Sequence, residues 1–265
     1  MLRIAVPLLA ACTFISSASA QDWAKPRLEN SPRHLEWVKV KNGSREVNSF
    51  IAFPEVKNKA TAVIVIHEIF GLTDWVRGVT DQLAAEGYIA IAPDLLTGMG
   101  PNGTGSKELG QDGARGVIGK LPPDQITGDL NACVEYCKNL PACNGKVVVC
   151  GFCWGGGQTF RFANNNADIK MACPFYGTGP TTAENVSKIK APVYGFYAGN
   201  DARVNATIPK SQELMKQNNQ TYEPVTYESG GHGFMRAGED PKGSEGNKKA
   251  REEAWKRFKD LLKKV

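Results

Sequence analysis

The chain has 265 residues, is 42% hydrophobic and carries a formal net charge of +5. That length and apolar share suit one large α/β domain or two small ones. The mild charge argues against a nucleic-acid-binding surface: Lys and Arg are scattered, and the C-terminal group from Lys248 to Lys264 is interleaved with Glu and Asp, as on a solvated helix face.

Residues 1–20 read as a secretory signal peptide. Arg3 supplies a positive start, residues 4–14 an apolar run, and Ala18-Ser19-Ala20 a small-residue cleavage site. The run is too short and interrupted to span a bilayer, and no later stretch is apolar enough. The expected product is therefore soluble and exported, secreted or periplasmic, without a membrane partner. Leu9-Ala10-Ala11-Cys12 also resembles a lipoprotein cleavage box, but it leaves too short an apolar core before the cut. Six cysteines follow: Cys133, Cys137, Cys143, Cys150, Cys153 and Cys173. An even count in an oxidising compartment invites disulfides, and Cys137 with Cys143 is the favoured pair. Cys150 and Cys173 lie in apolar strands and read as small buried hydrophobes.

Residues 21–32 look like a loose arm. Two β-prone runs, from Leu35 and from Val47, are separated by Asn42-Gly43, which suggests an antiparallel pair. Residues 62–66 form a continuous apolar strand and run into His67-Glu68-Ile69-Phe70-Gly71. A helix over residues 74–86 carries Val76, Val79, Leu83 and Ala84 on one stripe, and Gly87 ends it. A strand over residues 88–92 closes at Pro93-Asp94. Residues 97–123 contain eight glycines and read as a long connection, of the kind that is usually functional or mobile. A helix from Pro122-Pro123 buries Ile126, Leu130, Cys133 or Val134, Cys137 and Leu140. Strands then follow over residues 147–152, 169–175, 193–198 and 224–227, with a helix over residues 208–216 and a closing amphipathic helix over residues 245–262. This alternation predicts one domain over residues 21–265, a doubly wound, mostly parallel sheet flanked by helices.

The chemistry centres on Val147-Val148-Val149-Cys150-Gly151-Phe152-Cys153-Trp154-Gly155-Gly156-Gly157. A buried strand turning at once into a helix through Gly-x-Cys-x-Gly is a nucleophile elbow with a thiol in the serine position. The glycines remove Cβ atoms that would collide in so tight a bend. The new helix points its N–H groups at the sulfur of Cys153, which favours thiolate. Such a nucleophile needs a base and a carboxylate to hold it. Of three histidines, His232 lies in a glycine-flanked loop after the last strand, and Asp201 follows the strand before it. Asp94 and Asp168 remain alternative acids. The Trp154 and Ile69 backbone N–H groups are the expected oxyanion donors. Cys150-x-x-Cys153 also spells a redox motif, so a thiol-disulfide oxidoreductase is an alternative reading, as is a non-catalytic binding protein of the same fold. No His or acidic residue keeps zinc-like spacing with the cysteines, and no metal is expected.

The motifs His67-Glu68-Ile69-Phe70-Gly71, Ala92-Pro93-Asp94-Leu95, Gly151-Phe152-Cys153-Trp154-Gly155-Gly156, Gly199-Asn200-Asp201 and Gly231-His232-Gly233-Phe234 together resemble the dienelactone hydrolase (carboxymethylenebutenolidase) family of the α/β-hydrolase superfamily. The resemblance implies a Cys153–His232–Asp201 triad. It also implies that Glu68 is an extra carboxylate holding the resting thiol, and that Arg236 binds a substrate carboxylate. The family's second substrate arginine has no clean match, and Arg115 is the nearest candidate. Gly116, Val117 and Ile118 stand where the family tends to place aromatics, which argues against dienelactone itself as substrate. The expectation is a cofactor-free, metal-independent cysteine hydrolase of small esters or lactones, monomeric or a small homo-oligomer.

Overall fold

The computed structural model describes residues 21–265; the expected signal peptide and the lipoprotein-like box considered at Cys12 fall outside the described residues. Eight strands form one sheet: β1 (Leu35–Asn42), β2 (Arg45–Ala52), β3 (Ala60–Ile66), β4 (Ile89–Pro93), β5 (Cys143–Phe152), β6 (Met171–Phe175), β7 (Val193–Asn200) and β8 (Tyr222–Gly231). Their spatial order is β1-β2-β4-β3-β5-β6-β7-β8. The β1/β2 and β2/β4 pairs are antiparallel and the other five are parallel.

Successive side chains of a strand leave opposite faces, so one apolar run can fill two cores. Val63, Val65, Val148, Cys150 and Phe152 meet α2 (Asp74–Ala85) and α9 (Glu245–Leu262) on one face. Ile64, Ile66, Val147 and Val149 meet α4 (Pro123–Lys138), α5 (Trp154–Asn165) and α7 (Ile208–Gln217) on the other. All seven residues of β3 are buried, which explains why its sequence shows no polar alternation.

Three sequence expectations need correction. The arm is helical, with a 3-10 turn over Asp22–Ala24 and α1 over Lys25–Glu29. Trp23 and Leu28 pack on the α2 face, and Arg33 grips Asp81 of α2 with two hydrogen bonds of 2.6 and 2.8 Å. The glycine-rich stretch holds a twelve-residue helix, α3 (Ser106–Val117), interrupted at Gly110, where φ is +64°. Its start is fixed by Asp94, whose carboxylate accepts the Ser106 backbone N–H at 2.8 Å and the Ser106 hydroxyl at 2.5 Å. A carboxylate at a helix N-terminus satisfies an orphan donor and complements the dipole. Finally, β8 runs on through Gly231, so His232 follows the strand directly. The remaining helices are two short ones, α6 (Ala202–Asn205) and α8 (Phe234–Ala237).

Candidate active site

Cys153 sits between β5 and α5 with φ +57° and ψ −115°, a strained conformation for a residue with a Cβ. The surrounding backbone leaves room for nothing larger than glycine. A Cβ on Gly151 would lie 2.2 Å from the Gly155 carbonyl oxygen, and one on Gly155 would lie 2.4 Å from that of Ile66. The Cys153 N–H donates to the Phe175 carbonyl at 3.0 Å, which locks the bend to β6.

The side chains predicted from three distant segments meet here. The His232 Nε2 lies 3.1 Å from Cys153 Sγ, and His232 Nδ1–H donates to Asp201 Oδ2 at 2.5 Å. That second bond leaves Nε2 free to accept the thiol proton. Asp201 caps α6, its other oxygen accepting the Val204 N–H at 3.4 Å. The two alternative acids are engaged elsewhere: Asp94 holds α3, and Asp168 is exposed and pairs with Lys138 at 3.1 Å.

Burial pushes the Cys153 thiol up to about 11, and the neighbouring Glu68 carboxylate pushes the same way. The Trp154 and Ile69 backbone N–H groups and the positive charge of Arg203 oppose that shift without overcoming it. Desolvation thus outweighs the helix N-terminus, which by itself favours thiolate, and the resting sulfur is a thiol. The same two N–H groups are the expected oxyanion donors, and both favour negative charge on the sulfur.

Glu68 is buried, and burial raises its carboxyl above the ordinary range. Its Oε2 accepts from Arg236 Nε at 2.8 Å, and Arg236 in turn lies over the Phe70 ring at 5.3 Å. Glu68 thus rests on Arg236, whereas the thiol rests on His232. The adjacent His67 is fully buried: it donates from Nδ1 to the Glu68 carbonyl at 2.8 Å and stacks on Trp154 at 5.5 Å. Burial depresses its basicity, so it serves as a neutral platform beneath the elbow.

A cavity of about 680 Å³ opens over the sulfur, lined by Ile69, Cys153, Trp154, Tyr176, Arg161 and Arg203 among others. Arg115 is exposed on α3, and neither it nor the half-buried Arg236 is part of this lining. Arg203 and Tyr176 were not anticipated. Arg203 lies two residues after Asp201, a spacing that could have drawn notice; Tyr176 is marked only by following a β-strand. Cys150, the other half of the redox motif, is fully buried within β5 and free, and among the described residues no cluster could hold a metal.

The parallel sheet, the strained elbow and the imidazole and carboxylate delivered by later loops define an α/β-hydrolase. Comparison with known proteins narrows this. Residues 47–265 match the dienelactone hydrolase family, and the chain belongs to it, among hydrolases of esters and lactones. A Saccharolobus solfataricus protein provisionally named a carboxymethylenebutenolidase is 30% identical over 258 residues, covering 83% of this chain and 95% of its own. A similarly named Synechocystis protein is 29% identical over 237 residues, covering 85% and 94%. In fold, a Klebsiella pneumoniae protein provisionally named a dienelactone hydrolase superposes with a TM-score of 0.77 at 24% identity, covering 88% of this chain and 99% of its own.

Proposed function

We propose that the protein hydrolyses small esters or lactones through a thioester on Cys153, with His232 as base and Asp201 as its orienting carboxylate. The observation that carries this reading is the continuous hydrogen-bonded line from Sγ through the imidazole to a buried carboxylate, at 3.1 and 2.5 Å. A thiol at about 11 leaves roughly one molecule in 10⁴ as thiolate at pH 7. Proton transfer to His232 therefore accompanies substrate arrival.

Glu68 is the gate. Its charge disfavours the thiolate, and its tie to Arg236 decides where that charge sits. A substrate carboxylate that takes Arg236 unties Glu68 from its place beside the sulfur, and the thiol then gives its proton to His232 Nε2. The thiolate then adds to the carbonyl carbon, the Ile69 and Trp154 N–H groups hold the oxyanion, and His232 returns its proton to the departing oxygen. Water, deprotonated by His232, attacks the thioester, the C–S bond breaks, and His232 returns the proton to Sγ as the acid leaves. The scheme uses neither metal nor cofactor. A cleaved signal and export remain part of the reading; among the described residues no helix is long and apolar enough to cross a membrane.

Cys153→Ala tests the scheme. It should retain the fold, and its p-nitrophenyl acetate turnover should fall by at least the 10²–10⁴-fold typical of losing a covalent or acid–base partner. Unchanged turnover would remove the mechanism.

A further inference from the structure

Tyr176 follows β6 directly, and three independent features set it apart. Its φ is +38°, in the left-handed region that a bulky aromatic residue rarely occupies. It is completely buried, yet its hydroxyl makes no hydrogen bond of good geometry, even with the Glu68 carboxylate beside it. It also lines the cavity beside Cys153. An unpaired buried hydroxyl and a strained backbone each cost stability. Both are concentrated in one residue at the reacting centre, where a ligand can complete the missing bond.

The surroundings indicate which ligand atom completes it. The Tyr176 ring packs edge-on against His232, centroid to centroid 5.2 Å, and against Phe234 at 5.3 Å. The hydroxyl lies near the Glu68 carboxylate, one oxygen of which is taken by Arg236. On a tetrahedral carbon bonded to Sγ, the oxyanion faces the Ile69 and Trp154 N–H groups, and the leaving oxygen must face the imidazole that protonates it. A donor packed on that imidazole, and outside the oxyanion pair, is placed for the leaving oxygen.

We infer that the Tyr176 hydroxyl is a catalytic hydrogen-bond donor to the leaving-group oxygen of the bound ester or lactone. The inference rests on Cys153 as nucleophile. Tyr176 keeps its proton throughout: the C–O bond breaks, the C–S bond stays, and the leaving oxygen takes its proton from His232 Nε2. Burial holds the phenol well above its ordinary range, so it remains a donor at any working pH. The specificity consequence is that Tyr176 favours substrates whose leaving oxygen is basic, such as alkyl esters and aliphatic lactones.

The test compares wild type with Tyr176→Phe on acetate esters of p-nitrophenol, phenol and ethanol, and on S-phenyl thioacetate. Loss of kcat/KM should grow with leaving-group basicity, from about 3-fold for p-nitrophenolate to about 100-fold for ethoxide, the range of a hydrogen bond to a charged acceptor. The thioester, whose sulfur accepts hydrogen bonds poorly, should lose less than phenyl acetate. A uniform loss, or none, across the series would overturn the assignment. If Tyr176→Phe does not fold, a fluorotyrosine placed at position 176, being the stronger donor, should speed ethyl acetate more than p-nitrophenyl acetate; equal effects would again overturn it. Acyl mass on wild-type Cys153 after p-nitrophenyl acetate, measured in parallel, tests the nucleophile separately.

Discussion

At Cys153 opposing influences act on one sulfur, and their magnitudes decide its state. Two N–H donors and the Arg203 charge favour the anion; desolvation and the Glu68 charge oppose it, and they prevail. Changing Glu68→Gln removes one opposing charge and leaves the Arg236 guanidinium without its anionic partner, and both changes favour thiolate. The pH midpoint of Cys153 alkylation by iodoacetamide should therefore move below about 11, by on the order of one unit. An unmoved or higher midpoint would show that Glu68 does not gate ionisation. The elbow cysteine, Asp201 and His232 were legible in the sequence because glycine spacing and chain order report local geometry. The extent of the thiol's burial was not, because it depends on residues distant in sequence, Ile69 and Tyr176 among them, gathering around the sulfur. Tyr176 was invisible for a related reason: its strain and missing partner exist only after folding.

At the scale of elements, glycine means opposite things in two places. In the elbow it permits contact: a Cβ at Gly155 would strike two carbonyl oxygens, of Ile66 at 2.4 Å and His67 at 2.5 Å, neither able to yield without moving β3. Gly155→Ala should lower stability by about 1–3 kcal/mol, the cost of overpacking, and lower Tm accordingly. In α3, Gly116 has open space around the position of a Cβ and helical backbone. Gly116→Ala should raise stability by about 0.4–1 kcal/mol by restricting the unfolded chain. Thermal unfolding of the two variants reads both signs, and a stabilised Gly155→Ala would contradict the close-contact account. The same glycines explain why α3 was missed. Each weakens the helical pattern, whereas the helix is set from outside by Asp94 and by burial of Ala114 and Ile118. By contrast α9, with apolar residues at regular helical spacing and Ser244 capping Asn247, was readable to its last residue.

Across the whole molecule, the two-faced sheet determines which thiols can react. Five of the six cysteines after residue 20 are buried, and Cys153 alone is partly exposed. Cys133 is pushed up to about 12, and burial raises Cys137, Cys150 and Cys173 as well. The favoured Cys137–Cys143 disulfide is not formed; both are free, closing the bottom of the α4 face as small apolar groups. An even cysteine count cannot distinguish pairing from packing, and here packing against α4 and β5 decides it. Since the thiolate is the reactive form, the chain over residues 21–265 should present about one disulfide-exchangeable thiol when native and six when unfolded. Titration with a chromogenic disulfide, with and without denaturant and without reductant, measures both numbers. Four thiols in denaturant would restore a disulfide, and two fast thiols in the native protein would revive a Cys150–Cys153 redox pair. One native thiol that disappears in Cys153→Ala would leave the elbow sulfur as the single reactive cysteine of a sheet that shields all the others.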